Sequence, residues 1–300
     1  MRVVVTGGAG FVGSHVVGTL LGRGDEVTVV DDLSSGKREN MPEGARLVEA
    51  DIRAGLAEVF DEARPDVCFH LAAQVDVRAS VERPEHDASV NALGTVAVLE
   101  AARRHETQVV LSSTGGAIYG ECEGPAPEDA PLRPLAPYGV SKLAAEEYLA
   151  AYNRLYGSQH VSLRYGNVYG PRQDPHGEAG VVAIFFGRLA AGEPGRIFGD
   201  GRQTRDYVYA GDVAAATLTA AGQAGGVFNV GTGTETSVLE LYELCTRVAG
   251  SSLEAVPAPA RLGELQRSVL DVALAERELD WRAQVSLEDG LRRTWEWFAP

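Results

Sequence analysis

The chain is expected to fold as an α/β protein, a doubly wound parallel sheet with a smaller C-terminal domain. Three features of the sequence lead there. The first thirty-two residues read as strand, glycine-rich turn, helix and second strand, a unit short enough that its two strands must be parallel neighbours. Apolar runs then keep alternating with helical stretches as far as about residue 168. Beyond that point the alternation loosens, and one later run, Val227-Phe228-Asn229-Val230-Gly231, reads as a strand returning to the main sheet. The expected division is therefore 1–168, with 206–235 returning to its sheet, and 169–300.

The first unit carries the chemistry. Val3-Val4-Val5 runs into Thr6-Gly7-Gly8-Ala9-Gly10-Phe11-Val12-Gly13, and Val27-Thr28-Val29-Val30 stops at Asp31-Asp32. Gly7 allows the tight turn, Gly10 lets backbone approach a pyrophosphate, and Gly13 lets the helix pack close on the sheet. The helix start at Phe11 and Val12 offers unsatisfied N–H groups and the positive end of its dipole to phosphates. A carboxylate ending the second strand is placed to accept both hydroxyls of a ribose. The spacing, Gly-x-x-Gly-x-x-Gly, resembles that of the extended short-chain dehydrogenase/reductase superfamily, whose Rossmann sheets bind NAD or NADP. Asp31 argues for NAD, because it would repel a 2′-phosphate; Lys37 and Arg38, just beyond, offer such a phosphate a counter-charge.

Further along, Leu33-Ser34-Ser35-Gly36 forms a polar turn whose hydroxyls and N–H groups suit the adenosine ribose, with Asp32 beside it. A third strand ends at Glu49-Ala50-Asp51-Ile52, and the resemblance puts Asp51 and Ile52 against the adenine. A helix runs from Leu56 to Ala63, closed by Pro65. The fourth strand, Val67 to Leu71, is followed by Ala72, Ala73 and Gln74, small residues that let backbone face a cofactor where ligands of open α/β sheets sit. One long helix is expected from Pro84 to His105; within it Asn91-Ala92-Leu93-Gly94-Thr95 matches an Asn-x-x-Gly-Thr of the superfamily, which implies that Asn91 braces the cofactor-proximal turn. The fifth strand, Gln108 to Leu111, runs into Ser112-Ser113-Thr114-Gly115-Gly116, and a proline-rich acidic loop spans Pro125 to Pro137. The sixth, Val161 to Tyr165, leads to Gly166-Asn167, and Tyr165 is expected beside the cofactor.

Tyr138 and Lys142 stand four apart at a helix start, so both side chains share one face. A buried ammonium beside a phenol favours the phenolate. Bringing a tyrosine pKa from about 10 toward 7 takes roughly 4 kcal/mol, which the lysine and a cationic nicotinamide would supply together. Tyr138 is then a general base for a sugar hydroxyl. Thr114 is the expected hydroxyl that hydrogen-bonds the reacting oxygen, and Ser113 is the alternative.

Full-length resemblance is to UDP-glucose 4-epimerases and their close relatives. Sugar-nucleotide 4,6-dehydratases look similar but carry Asp-Glu directly after the catalytic threonine, where this chain has Gly115-Gly116; glycine transfers no side-chain proton, so oxidation at C4 followed by return of the hydride is favoured over elimination. The resemblance implies UDP-sugar contacts from Asn167, Val182, Ile197 and Phe198, a phosphate contact from Arg205, and a diphosphate and ribose grip from Arg261 and Glu264. Glu264 stands where the relatives have Asp and is one methylene longer. The resemblance also implies that the residue four positions after Glu264, Ser268, lies beside the hexose C2 group, where a serine leaves room for an N-acetyl substituent. The resemblance further implies a homodimer through the helices from Pro84 and Tyr138, whose apolar residues include Val90, Leu93, Val96, Leu99, Leu143, Leu149, Tyr152 and Leu155. Still open at this stage are a UDP-glucuronate or dTDP-sugar substrate, a dehydrogenase outcome, and a catalytically silent NAD-binding sensor.

Bulk properties fit this reading. The net charge of −15 argues against nucleic acid or anionic membrane as partner. No apolar run approaches membrane-spanning length, and the first strand leaves no room for a signal peptide. The three cysteines, Cys68, Cys122 and Cys245, are scattered as free thiols of a reducing compartment would be, so a cytoplasmic protein is expected. No Cys/His cluster has metal-ligand spacing, and no metal is expected.

Overall fold

The computed structural model describes residues 1–176, 180–260 and 265–299. Arg261 and Glu264 therefore lie outside the described residues. Six strands, β1 (Arg2–Thr6), β2 (Glu26–Asp31), β3 (Arg46–Glu49), β4 (Val67–His70), β5 (Gln108–Thr114) and β6 (Val161–Tyr165), join the strand Gly226–Val230 in one sheet. Its order is Gly226–Val230, β6, β5, β4, β1, β2, β3, and every pairing is parallel.

Side-chain alternation explains why these strands read as continuous apolar runs. Val3 and Val5 of β1, Val67 and Phe69 of β4, and Val110 of β5 enter one core, beneath Val16, Val17 and Leu20 of the helix α1 (Phe11–Gly22). Val4, Cys68, Val109 and Leu111 enter the opposite core, beneath Leu99, Ala145 and Leu149. Helices cover both faces, so neither set of positions can be polar. Strand order reverses between β1 and β4, and ligands of such sheets bind at the carboxyl ends of the strands beside that reversal. Thr6, His70, Asp31 and Thr114 all stand at those ends.

Two local expectations are corrected. The segment expected as one helix from Pro84 to His105 is a short helix (Pro84–Ala88), a π-helical turn (Ser89–Leu93) and an α-helix (Gly94–Arg103). A further helix, Val77–Glu82, precedes it and is capped by Asp76, which accepts the Ala79 N–H at 2.9 Å. Asp51 and Ile52 also lie past the end of β3: Asp51 caps the 3₁₀ turn Ile52–Ala54.

The C-terminal part builds its own core from Val182, Phe185, Phe186, Tyr207, Leu241 and Leu291. The helices Val181–Ala190, Val238–Ala249 and Leu287–Phe298 supply most of it. Around that core run small sheets, among them the three strands Thr236–Ser237, Thr204–Arg205 and Arg267–Ser268.

Candidate active site

The glycine-rich turn is built as its residues require. Gly7 has φ 72°, and a Cβ there would lie 2.5 Å from the Ala72 amide nitrogen; a Cβ on Gly13 would lie 2.1 Å from the Gly7 carbonyl oxygen. Both contacts are with backbone, so no side-chain movement relieves them. Gly10 caps α1 without a side-chain hydrogen bond, and no acidic residue stands in the helix's first turn. The first N–H groups, from Phe11, Val12 and Gly13, are thus left for an anion.

Asp31 closes the far side of this cradle. One carboxylate oxygen accepts the Ala9 N–H and the other the Leu33 N–H, each at 2.9 Å. Burial pushes its pKa up, against the pull of those two amides. Leu33 takes a left-handed φ of 58°, a cost that the Asp31 bond helps to hold. Asp32 faces outward and binds the Ser34 amide and hydroxyl at 3.0 and 2.6 Å, so Asp32, Ser34, Ser35 and Gly36 form one turn folded over Asp31. The two basic residues beyond are engaged elsewhere: Lys37 with Asp174 at 3.1 Å, and Arg38 with Glu49. Asp51 is held by the Arg53 guanidinium, whose hydrogen bonds keep its pKa below the ordinary value.

The turn after β4 is pinned from behind. The Leu71 and Ala72 N–H groups reach the Thr6 carbonyl and hydroxyl at 3.0 and 3.3 Å, and Ala73 follows them in the chain. Asn91, buried in the π turn, accepts the Gln74 N–H and donates to the Gln74 carbonyl, both at 2.9 Å. That pairing is a two-bond clamp between backbone and amide. Beneath it, His70 bridges the hydroxyls of Thr6 and Thr95 at 2.7 and 3.0 Å; burial, with Lys142 nearby, lowers its pKa to about 3, so it is a neutral strut.

Tyr138 and Lys142 lie in the first turns of the helix Pro137–Tyr156. The Tyr138 phenol is hydrogen-bonded to Thr114, and burial holds its pKa up at about 12. Lys142 does not reach the phenol. Its ammonium donates to the Ser112 carbonyl at 3.0 Å, and burial lowers its pKa to about 8. The lowered phenol expected from the sequence is therefore not a property of the protein alone. Ser113, the alternative hydroxyl, points to the other face of β5, is buried, and has no hydrogen-bond partner among the described residues.

Facing this trio, the Asn167 side-chain oxygen and the Thr114 hydroxyl lie 3.5 and 4.0 Å from where a Cβ on Gly116 would stand. A Cβ on Gly115 would instead meet Leu270 at 2.6 Å. Phe198 is half-buried and Ile197 buried. Arg205 and Ser268 are register partners on adjacent strands. Two expectations fail here. Val182 is 0 % exposed inside the C-terminal core and offers a ligand no surface. The Tyr165 hydroxyl is turned into the main core, bound to Thr217 at 2.8 Å, so its side chain is not part of a cofactor surface.

Several organising residues went unread in the sequence. Asp206, next to Arg205, binds the Thr232 N–H and hydroxyl at 2.8 and 2.7 Å and the Gly233 N–H at 3.0 Å. Its own carbonyl accepts the Asn167 N–H at 2.7 Å, which sets Asn167 opposite Thr114. Glu121 accepts the Gln266 and Arg267 amides at 3.0 and 2.9 Å, tying the loop after β5 to the strand that carries Ser268. The Arg-Asp-Tyr run, an acid beside the expected phosphate contact, was the available signal for Asp206.

Known proteins share this architecture and sequence. The family model described as "NAD dependent epimerase/dehydratase family" matches residues 3–231. The UDP-glucose 4-epimerase of Mycolicibacterium smegmatis is 48% identical over 308 residues, covering 99% of this chain and 98% of its own. A UDP-glucose 4-epimerase from Thermotoga maritima, solved with UDP-glucose, superposes with a TM-score of 0.97 at 47% identity, covering 99% of this chain and 98% of its own. One from Thermus thermophilus, solved with NAD, gives 0.95 at 48% identity, covering 99% of each chain. With a glycine cradle, a Thr114–Tyr138–Lys142 site and likeness along nearly its whole length, the chain belongs to the NAD-dependent epimerase/dehydratase family.

Proposed function

We propose that the chain is an NAD-dependent 4-epimerase of UDP-hexoses, interconverting UDP-glucose and UDP-galactose. The observation that carries the reading is the hydrogen bond between Thr114 and Tyr138 beside Gly116, a position with no side chain to drive elimination. We assign the cradle of Gly7, Gly10 and Gly13, the Asp31–Gly36 turn, Asp51, Ile52 and the Asn91-braced turn from Leu71 to Gln74 to NAD, and Asn167, Phe198, Arg205, Arg261, Glu264 and Ser268 to the UDP-sugar. The cradle fits that cofactor: uncapped helix amides suit a pyrophosphate, and a buried acid suits a ribose without a 2′-phosphate.

Bound NAD supplies a reversible acceptor for the C4 hydride and a positive charge near Tyr138. The protein's part is proton handling and position. Tyr138 takes the proton of the C4 hydroxyl as the hydride leaves and returns it after the 4-keto sugar has turned its other face. Thr114 hydrogen-bonds the reacting oxygen, and the Lys142 ammonium adds to the charge that favours the phenolate. Because burial, with the Asp87 charge beside it, holds Tyr138 near 12, proton removal draws on the positive charge of bound NAD.

The assembly we propose is a homodimer. On the expected face, Leu93 is 61% and Leu155 72% exposed, with Val140 and Tyr148 also uncovered. The division proposed is an NAD-binding part, 1–168 with 206–235, and a nucleotide-sugar part over the rest of 169–300. None of the three cysteines is disulfide-bonded, which supports a cytoplasmic enzyme, and no described helix is long and apolar enough to cross a membrane. The test is incubation of purified protein with UDP-galactose: UDP-glucose should form catalytically without accumulation of NADH.

A further inference from the structure

Lys142 is buried, 4% exposed, and among the described residues its ammonium hydrogen-bonds only a carbonyl. No described carboxylate lies within ion-pair distance of it. An isolated buried ammonium is costly, and the interior must supply negative charge nearby or the group gives up its proton. Two acids face it. Glu146, one turn further along the same helix, is committed to Arg164, whose guanidinium it holds at 2.7 Å. The other is Asp87, 1% exposed on the short helix Pro84–Ala88.

Asp87 has an unusual set of partners. One oxygen accepts the side-chain amides of Gln74 and Asn91 at 2.8 and 3.1 Å. The other oxygen is buried with no hydrogen-bond partner among the described residues. Asn91 is also 3.1 Å from the Ser141 hydroxyl, which donates to the Tyr138 carbonyl at 3.0 Å. One carboxylate thus sits behind both the cofactor turn and the helix that carries the reacting phenol. We propose that Asp87 is a positioning residue of the reaction, fixing Gln74 and Asn91 and supplying the negative charge that faces Lys142 and Tyr138.

The proposal rests on the epimerase reading of this site. The Asp87 charge raises the pKa of both Lys142 and Tyr138. Neutralising it makes the phenolate form at lower pH and makes the ammonium lose its proton at lower pH. Both limbs of a bell-shaped profile then move the same way. Other charged groups around this cluster are His70 on β4, neutral; Glu146, bound to Arg164; Arg53 in the 3₁₀ turn, bound to Asp51; and Arg78, Glu82, Arg83, Glu85 and His86, all exposed. Solvent screens the exposed ones.

The experiment is turnover of UDP-galactose against pH for the wild-type holoenzyme, Asp87→Asn, Asp87→Ser and Asp87→Glu, with NAD content and thermal melting recorded for each. Asp87→Asn is expected to move both limbs to lower pH by about one pH unit, a tenfold change in each protonation equilibrium, at low and high salt alike. Asp87→Ser, which keeps an acceptor without the charge, should do the same if the asparagine variant fails to fold. Asp87→Glu should bring the limbs back toward wild type. Neutral variants that are slower but keep the wild-type profile would overturn the proposal, leaving Asp87 a purely structural residue. If wild type itself turns over no UDP-hexose, the epimerase reading fails and this inference falls with it; a wild type that is active with unmoved variants fails the inference alone.

Discussion

Lys142 donates to the carbonyl of Ser112, two residues before the Thr114 that is hydrogen-bonded to Tyr138. The helix carrying Tyr138 and Lys142 is thereby locked to the strand carrying Thr114. The ammonium anchors the phenol's helix through backbone, and the phenol meets its partner on the same strand. The i, i+4 pair is one rigid unit, with the strand end as its base.

A methyl group at Gly13 should abolish the cofactor site. Its Cβ would stand 2.1 Å from the Gly7 carbonyl oxygen, so the helix must move off the sheet. Gly13→Ala is expected to lose bound NAD on gel filtration and to lose turnover with it. NAD content measured after protein precipitation checks this.

The buried Arg164–Glu146 pair contributes to stability. Arg164 donates to both Glu146 oxygens and, at 2.8 Å, to the Tyr119 hydroxyl, which in turn reaches Asn229 at 2.7 Å. Glu146→Ala leaves the guanidinium buried and unpaired, at a cost of about 3–5 kcal/mol. Denaturant unfolding should show that loss in the midpoint, with KM for UDP-galactose nearly unchanged in whatever protein remains folded.

Ser268 is buried at the register partner of Arg205. Overfilling that position with Ser268→Tyr is expected to cut turnover of N-acetylated UDP-hexoses far more than that of UDP-glucose, by at least about tenfold in relative kcat/KM. Equal losses on both substrates would place the C2 substituent elsewhere.

Much of this was readable from the sequence, for identifiable reasons. The strands β1, β4 and β5 are buried on both faces, so their apolar runs are continuous and easily found. Gly7 and Gly13 are fixed by backbone-to-backbone approaches, which only glycine permits. The π turn at Asn91 was not readable: Gly94, which follows it, suits a continuous helix equally well, and the turn is tied to Gln74, a partner from another element. The Asp76 cap and Pro84 did announce the missed helix Val77–Glu82. Val182 and Tyr165 were misplaced because an apolar residue next to a site and one lining it look alike in sequence. Asp206 acts through Thr232 and Gly233, far along the chain, and only folding brings that segment to it.

The most direct test of the central claim follows UDP-galactose and the nicotinamide absorbance together in one reaction, with wild type and Tyr138→Phe. Wild type is predicted to bring UDP-galactose and UDP-glucose to equilibrium over many turnovers, with no net NADH. Tyr138→Phe is predicted to keep its bound NAD and lose about 10²–10⁴-fold in kcat. NADH accumulating in step with an oxidised sugar, or a phenylalanine variant as fast as wild type, would contradict the account.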